Sequence, residues 1–262
     1  MYPSIIWLIC LIISMSCVHG NLPKKIHGGI TVEIIEHPHQ VSIQIQNYHL
    51  CGGVIISEEH ILTTASCVSA DVGVFYGNII IMSATNNLDK KDPNNYWELH
   101  TVAFIITHEE YNPHFNWIHD IAILKLEKKM RFHIRQRSAT WPPKYPQSRL
   151  FVTGWGTNSE MNVMKNYLQL VKVKSISSRI CKVRYYTEGT LTGNQYCLFP
   201  RPPLARITWG NSGSPVTIGT GVVGLISVVS LDHKLPTTYS RVYNYMYWIQ
   251  KNVEKLNSKL HY

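Results

Sequence analysis

The chain has 262 residues, 45% hydrophobic and 16% charged, with 25 Lys and Arg against 16 Asp and Glu and six Cys. That apolar and aromatic content excludes a disordered chain, and 16 Gly and 13 Pro without a period exclude a fibrous one. A formal charge of +9 fits either an anionic partner or simple solubility.

Residues 5–17 form an almost unbroken apolar run, followed by Val18-His19-Gly20. This reads as a signal peptide over residues 1–20, cleaved after Gly20, although its first four residues carry no Lys or Arg. The run is too short to span a bilayer, so the expected location is extracellular. Cys10 and Cys17 leave with the leader, and Cys51, Cys67, Cys181 and Cys197 remain. In an oxidising compartment they should form two disulfides, with three pairings open. Spacing favours Cys51 with Cys67 and Cys181 with Cys197, each closing a short loop worth roughly 3 kcal/mol. A zinc site is the competitor, but no CxxC or HxxxH spacing supports it.

Val41 to Gln46 alternates apolar and polar, as does Leu168 to Lys174 less strictly, which predicts half-buried antiparallel strands. Apolar runs at residues 54–56, 79–82, 102–106, 121–126, 150–152 and 222–229 are separated by Gly, Asn, Asp and Pro, the rhythm of an all-β barrel or sandwich. The Pro-rich basic stretch 128–146 divides these runs into two groups and reads as a linker. One helix is predicted, at about 242–257, where Val242, Tyr245, Met246, Ile249, Val253 and Leu256 recur at three- and four-residue spacing.

Four further segments are notable in order: Leu62-Thr63-Thr64-Ala65-Ser66-Cys67, His119-Asp120-Ile121-Ala122, Gly154-Trp155-Gly156, and Gly210-Asn211-Ser212-Gly213-Ser214-Pro215. Together they resemble the landmark series of trypsin-like serine proteases, over essentially the whole chain after the leader. The resemblance implies an all-β fold of two packed antiparallel six-stranded barrels, at about 38–132 and 147–240, with the C-terminal helix. Ile26-His27-Gly28-Gly29 after Lys24-Lys25 resembles the family's activation site, making residues 21–25 a short propeptide-like segment before a 26–262 peptidase domain.

The same resemblance assigns roles and shows departures. Ser212 stands at the nucleophile position, Asp120 at the orienting carboxylate, and Gly210 and Ser212 at the oxyanion-hole positions. The base position holds Ser66, where the family has His. A serine hydroxyl takes no proton near neutral pH, so Ser212 is expected to stay a neutral alcohol. Asn211 replaces the Asp that pairs with the freed amino terminus. Arg206 stands where trypsin has the Asp that attracts basic side chains, and Val229 and Thr237 replace small residues of the pocket wall. The expectation is a degenerate, non-enzymatic homologue that needs no cofactor and no metal; in particular, Asn78-Ile79-Ile80-Ile81 lacks the acids of the family's calcium loop.

A binding role follows from that expectation. Lys125, Lys128, Lys129, Arg131, Arg135 and Arg137 crowd the entry to the linker, and Lys251, Lys255 and Lys259 share one face of the helix. These are a solvated face or a patch for an anionic partner; nucleic acid is not expected, since no nucleic-acid-binding module is present. The mutated triad, filled pocket and two retained bridges resemble the scabies mite inactivated protease paralogues, related to the mite group 3 allergens. That resemblance implies a secreted inhibitor of host defence proteins such as complement components. The alternatives are residual or substrate-assisted proteolysis, and a decoy that competes with active paralogous proteases.

Overall fold

The computed structural model describes residues 29–141, 144, 149–157, 164–185, 191, 193–201, 205–230 and 234–258. The expected leader, the 21–25 segment, Ile26 and Lys259 lie outside the described residues. The chain first forms β1 (Ile30–Thr31), β2 (Gln40–Ile45), β3 (Tyr48–Ile55), β4 (His60–Thr63), β5 (Ser69–Asp71), β6 (Val74–Phe75), β7 (Ile79–Ser83), β8 (Glu98–Thr107) and β9 (Ala122–Leu126). After the crossing segment come β10 (Leu150–Gly154), β11 (Gln169–Ile176), β12 (Gln195–Arg201), β13 (Pro215–Ile218), β14 (Gly221–Ile226) and β15 (Thr237–Arg241). The helices are α1 (Ser178–Tyr185) and α2 (Met246–Ser258).

Six strands close the first barrel in the order β2-β3-β4-β9-β8-β7, while β5 and β6 form a separate hairpin. The second barrel runs β11-β10-β13-β14-β15-β12 and closes because β12 pairs back onto β11; β1 adds to the outside of β11. All these pairings are antiparallel. The fold is therefore two closed six-stranded barrels and a C-terminal helix, as the sequence leads one to expect.

Strand alternation explains how the barrels fill and meet. Val41, Ile43, Ile55, Ile61, Ile81 and Leu124 point into the first barrel. Their chain neighbours Val54, Leu62 and Ile123 point out into a second cluster with Val222 and Leu225 of the other barrel and Trp248 and Ile249 of α2. β4 and β9 are consequently buried on both faces. Leu150, Val152, Val173, Leu198, Val216 and Tyr239 fill the second barrel. The barrels approach closely at Gly213, whose φ of +71° suits glycine. A Cβ there would collide with the Gly52 carbonyl and the Thr63 hydroxyl.

Three expectations are corrected here. Helix α1 is absent from the sequence reading because its apolar Ile180 and Val183 face solvent and only Cys181 is buried, so it carries no amphipathic stripe. The first turn of the predicted terminal helix, Val242–Tyr245, is a tighter 3-10 turn, and the α-helix proper begins at Met246. Lys125 does not belong to the basic patch. It is 2% exposed on β9, where Nζ donates to Glu59 (3.3 Å), the Leu256 carbonyl (3.4 Å) and Asn257 (3.2 Å). The disulfides are Cys51–Cys67, which staples β3 to the turn after β4, and Cys181–Cys197, which ties α1 to β12.

Candidate functional site

The ladder between β4 and β9 sets the centre of the site. Thr63 pairs with Ala122, so the chain leaving β4 meets the chain entering β9 just beyond that rung. Ser66, in the 3-10 turn Ala65–Cys67, thereby faces Asp120. Its backbone N–H donates to Asp120 Oδ1 at 2.8 Å and its hydroxyl to Oδ2 at 3.0 Å. Ser227, just past β14, donates its hydroxyl to the same Oδ2 at 2.5 Å, and Ser240 of β15 donates to the Asp120 carbonyl at 2.8 Å. Asp120 is fully buried. Burial raises its carboxyl to about 6, against the opposing pull of the Ser227 and Ser66 hydrogen bonds.

Ser212 lies in the turn before β13, and its hydroxyl donates to the Ser227 carbonyl at 3.3 Å. Ser212, Ser227, Asp120 and Ser66 thus form one connected polar chain across the barrel interface. Among the described residues, the hydrogen bonds to the Asp120 carboxylate come from serine hydroxyls and backbone N–H groups. Each of these hydroxyls is spent as a donor to the carboxylate, and a serine hydroxyl is not a proton acceptor at neutral pH.

His119, the chain neighbour of Asp120, turns the other way, with Nε2 3.3 Å from Glu110 and its ring stacked on His108. His60 is buried at the opposite end of β4, where Ser57 meets its Nδ1 at 2.8 Å.

Gly210 has φ +90°, and its carbonyl accepts from His49 Nε2 at 3.0 Å. Since a carbonyl only accepts, Nε2 carries the proton, and Nδ1 accepts from the Ser42 hydroxyl at 2.8 Å. This neutral form agrees with burial, which lowers the His49 pKa to about 4. His49 is a site residue that the sequence reading missed: Tyr48-His49-Leu50 has neither period nor motif to single it out. Asn211 is 8% exposed and donates from Nδ2 to the Thr208 carbonyl at 3.1 Å. A Cβ on either Gly154 or Gly156 would strike its amide, so this residue is wedged against that strand end.

Of the residues expected on the substrate side, Arg206 and Thr237 come together in one pocket of the second barrel. Arg206 is half-buried and lines a pocket of about 410 Å³ together with Lys174, Arg201, Ser230 and Thr237. Thr237 is 6% exposed and paired with Leu198 on β15. Val229 is half-buried against the second-barrel core.

Of the basic residues, Lys128, Lys129, Arg131, Arg135 and Arg137 are all exposed, as are Lys251 and Lys255 on α2. Lys129 lies 3.8 Å from Glu59, the Arg135 guanidinium sits over the Tyr96 ring at 5.5 Å, and the Lys251 charge acts on Glu109. A second surface feature was not anticipated. Val72, Val74, Phe75 and Tyr76 around the β5–β6 hairpin, with Phe115 and Trp117 in the loop before Asp120, are all exposed. His114 Nε2 ties the two segments together through Asp71 at 3.0 Å. The site is therefore flanked along the chain, on both sides, by uncovered aromatic residues. Alternation could not reveal this, because the aromatic side chains face solvent.

Residues 26–249 match the trypsin family. The chain is 30% identical over 248 residues to a trypsin of Phaedon cochleariae, covering 90% of this chain and 92% of that one. It is 30% identical over 236 residues to hypodermin-B of Hypoderma lineatum, covering 84% and 86%. With pig trypsin the identity is 28% over 234 residues, covering 87% and 96%. The chain belongs to the trypsin-like serine protease family.

Proposed function

We propose that this chain is a secreted member of the family that has lost proteolysis and acts by binding. The observation that carries the reading is the pairing of Ser66 with Asp120. In the family's mechanism an imidazole stands between carboxylate and nucleophile, taking the serine proton and returning it to the leaving group. Here a hydroxyl occupies the carboxylate, and the Ser212 hydroxyl is turned to a backbone carbonyl. Removing a triad member costs about 10⁴ to 10⁶ in turnover. Asn211 supports the same reading, because its amide is satisfied by Thr208 and offers no charge to a buried amino terminus.

The partner class is an extracellular host protein of the defence cascades, with complement components as the specific candidates. Exposed aromatic residues beside the site and exposed Lys and Arg at 128–137 and on α2 supply the two chemistries that interfaces use, apolar anchors and charge steering. The test is to add the mature chain to purified complement components and to a serum lysis assay. Saturable binding with inhibition of lysis, and intact components afterwards, is the expected result. Lysis unchanged at saturating protein, or fragmentation of a component, contradicts the proposal.

A further inference from the structure

On the far side of the Asp120 segment, a ring nitrogen of His108, a ring nitrogen of His119 and a carboxylate oxygen of Glu110 all lie within 4.8 Å of one another. The imidazoles are stacked, with centroids 4.4 Å apart and planes 10° from parallel. Trp248 of α2 stacks on His108 at 5.3 Å. His119 Nδ1 meets the Tyr245 hydroxyl at 3.3 Å while Nε2 lies 3.3 Å from Glu110. His119 also has φ +53°, a left-handed backbone that non-glycine residues adopt at a cost and that recurs at ligand sites.

We infer that His108, Glu110 and His119 form a surface site for a divalent transition-metal ion of the zinc type. Two imidazoles and one carboxylate are the donor set that Zn²⁺ takes with a fourth position left to water. Ca²⁺ and Mg²⁺ prefer oxygen donors throughout. The Tyr245 contact provides the outer support that metal-bound histidines use: Nδ1–H donated to the phenol oxygen leaves the Nε2 lone pair free on the Glu110 side.

Some adjustment accompanies binding. Donor atoms around a tetrahedral zinc sit about 3.4 Å apart, so the side chains converge by on the order of 1 Å. His108 Nδ1 accepts the Glu110 backbone N–H at 3.2 Å. Ligation through Nε2 moves the ring proton to Nδ1 and ends that exposed bond, leaving the N–H to water. Glu110 supplies the mobile donor, since its side chain is 71% exposed against 17% for His119.

The test is calorimetric titration of ZnCl₂ into the metal-free mature chain at pH 7.5, with MgCl₂ as the comparison ion. One saturable site of micromolar Kd is expected, together with a rise of several degrees in Tm at about 100-fold excess of zinc over Kd. His108→Ala and His119→Asn should each weaken binding by about tenfold or more, and Glu110→Gln by less. Asn tolerates the left-handed backbone, so His119→Asn keeps the fold readable by its metal-free Tm. No saturable binding up to ~1 mM zinc, or the same affinity in the His108→Ala and His119→Asn proteins, overturns the assignment.

Discussion

Residues 119 and 120 are neighbours in the chain and opposites in environment. Asp120 faces the seam between the barrels, is fully buried, and is saturated by Ser66, Ser227 and backbone donors. His119 faces the surface, stacks on His108, and meets an exposed carboxylate. The difference teaches what keeps a polar group in place in a buried seam. In the seam the carboxylate is held because two segments, the turn at Ser66 and the residue after β14, donate to it, and a buried donor left unpaired is expensive. On the surface no such constraint acts, so side chains there remain available to a ligand.

The largest effect expected from breaking this contrast is at Asp120. Replacing it by Ala strands the Ser66 N–H and the Ser227 hydroxyl in a buried site, for a loss of about 3–5 kcal/mol. Asp120→Asn keeps an acceptor and removes a charge whose burial is already unfavourable, so it should cost about 1 kcal/mol. Denaturant unfolding of the two variants checks both; equal losses would show that the hydrogen-bond shell is not what matters.

The next effect is acid sensitivity. His39 is 1% exposed and, among the described residues, neither ring nitrogen has a hydrogen-bond partner; burial lowers its pKa to about 4, and His49 and His60 are lowered to about 4 as well. Between pH 6.5 and 4 the unfolded chain binds protons that these folded rings refuse, so acidification removes stability. Asp120 works in the opposite sense: its folded carboxyl, raised to about 6 from 3.8, binds a proton before the unfolded one does, and stability is recovered as pH falls through 6. Three histidines against one aspartate give a net fall in Tm from pH 7 to 4.5. His39→Gln should flatten that fall and Asp120→Asn should steepen it; a flat wild-type profile would contradict the burial argument.

The smallest effect is on the outward side. Glu110→Ala in metal-free protein should change stability by less than about 0.5 kcal/mol, because an exposed contact to His119 is screened by water. A loss of several kcal/mol on thermal unfolding would make Glu110 a structural residue and erase the contrast with Asp120.

Much of the fold is legible in the sequence because the strands that line the barrels alternate, as Val41, Ile43 and Ile45 do on β2. What escapes is segments whose apolar residues face solvent, such as α1 and the β5–β6 hairpin, and the surroundings of a polar residue on a strand buried on both faces. Lys125 shows the second case. A lysine reads as a solvated charge, yet on β9 one face fills the barrel and the other meets Glu59 and the end of α2. The site positions Ser66, Asp120 and Ser212 are visible as motif residues in order. Ser227, which no motif singles out, links Ser212 to Asp120: its carbonyl accepts from Ser212 and its hydroxyl donates to Asp120 across 107 residues, which no local pattern encodes.

On the proposed function, Ser212 has no base. The most direct measurement is active-site labelling: the mature chain and an active trypsin are incubated with a serine-directed phosphonate, and adducts are located by mass spectrometry. The account predicts that the trypsin is labelled fully while Ser212 stays unmodified at the same exposure. Stoichiometric labelling of Ser212 at a comparable rate would contradict it.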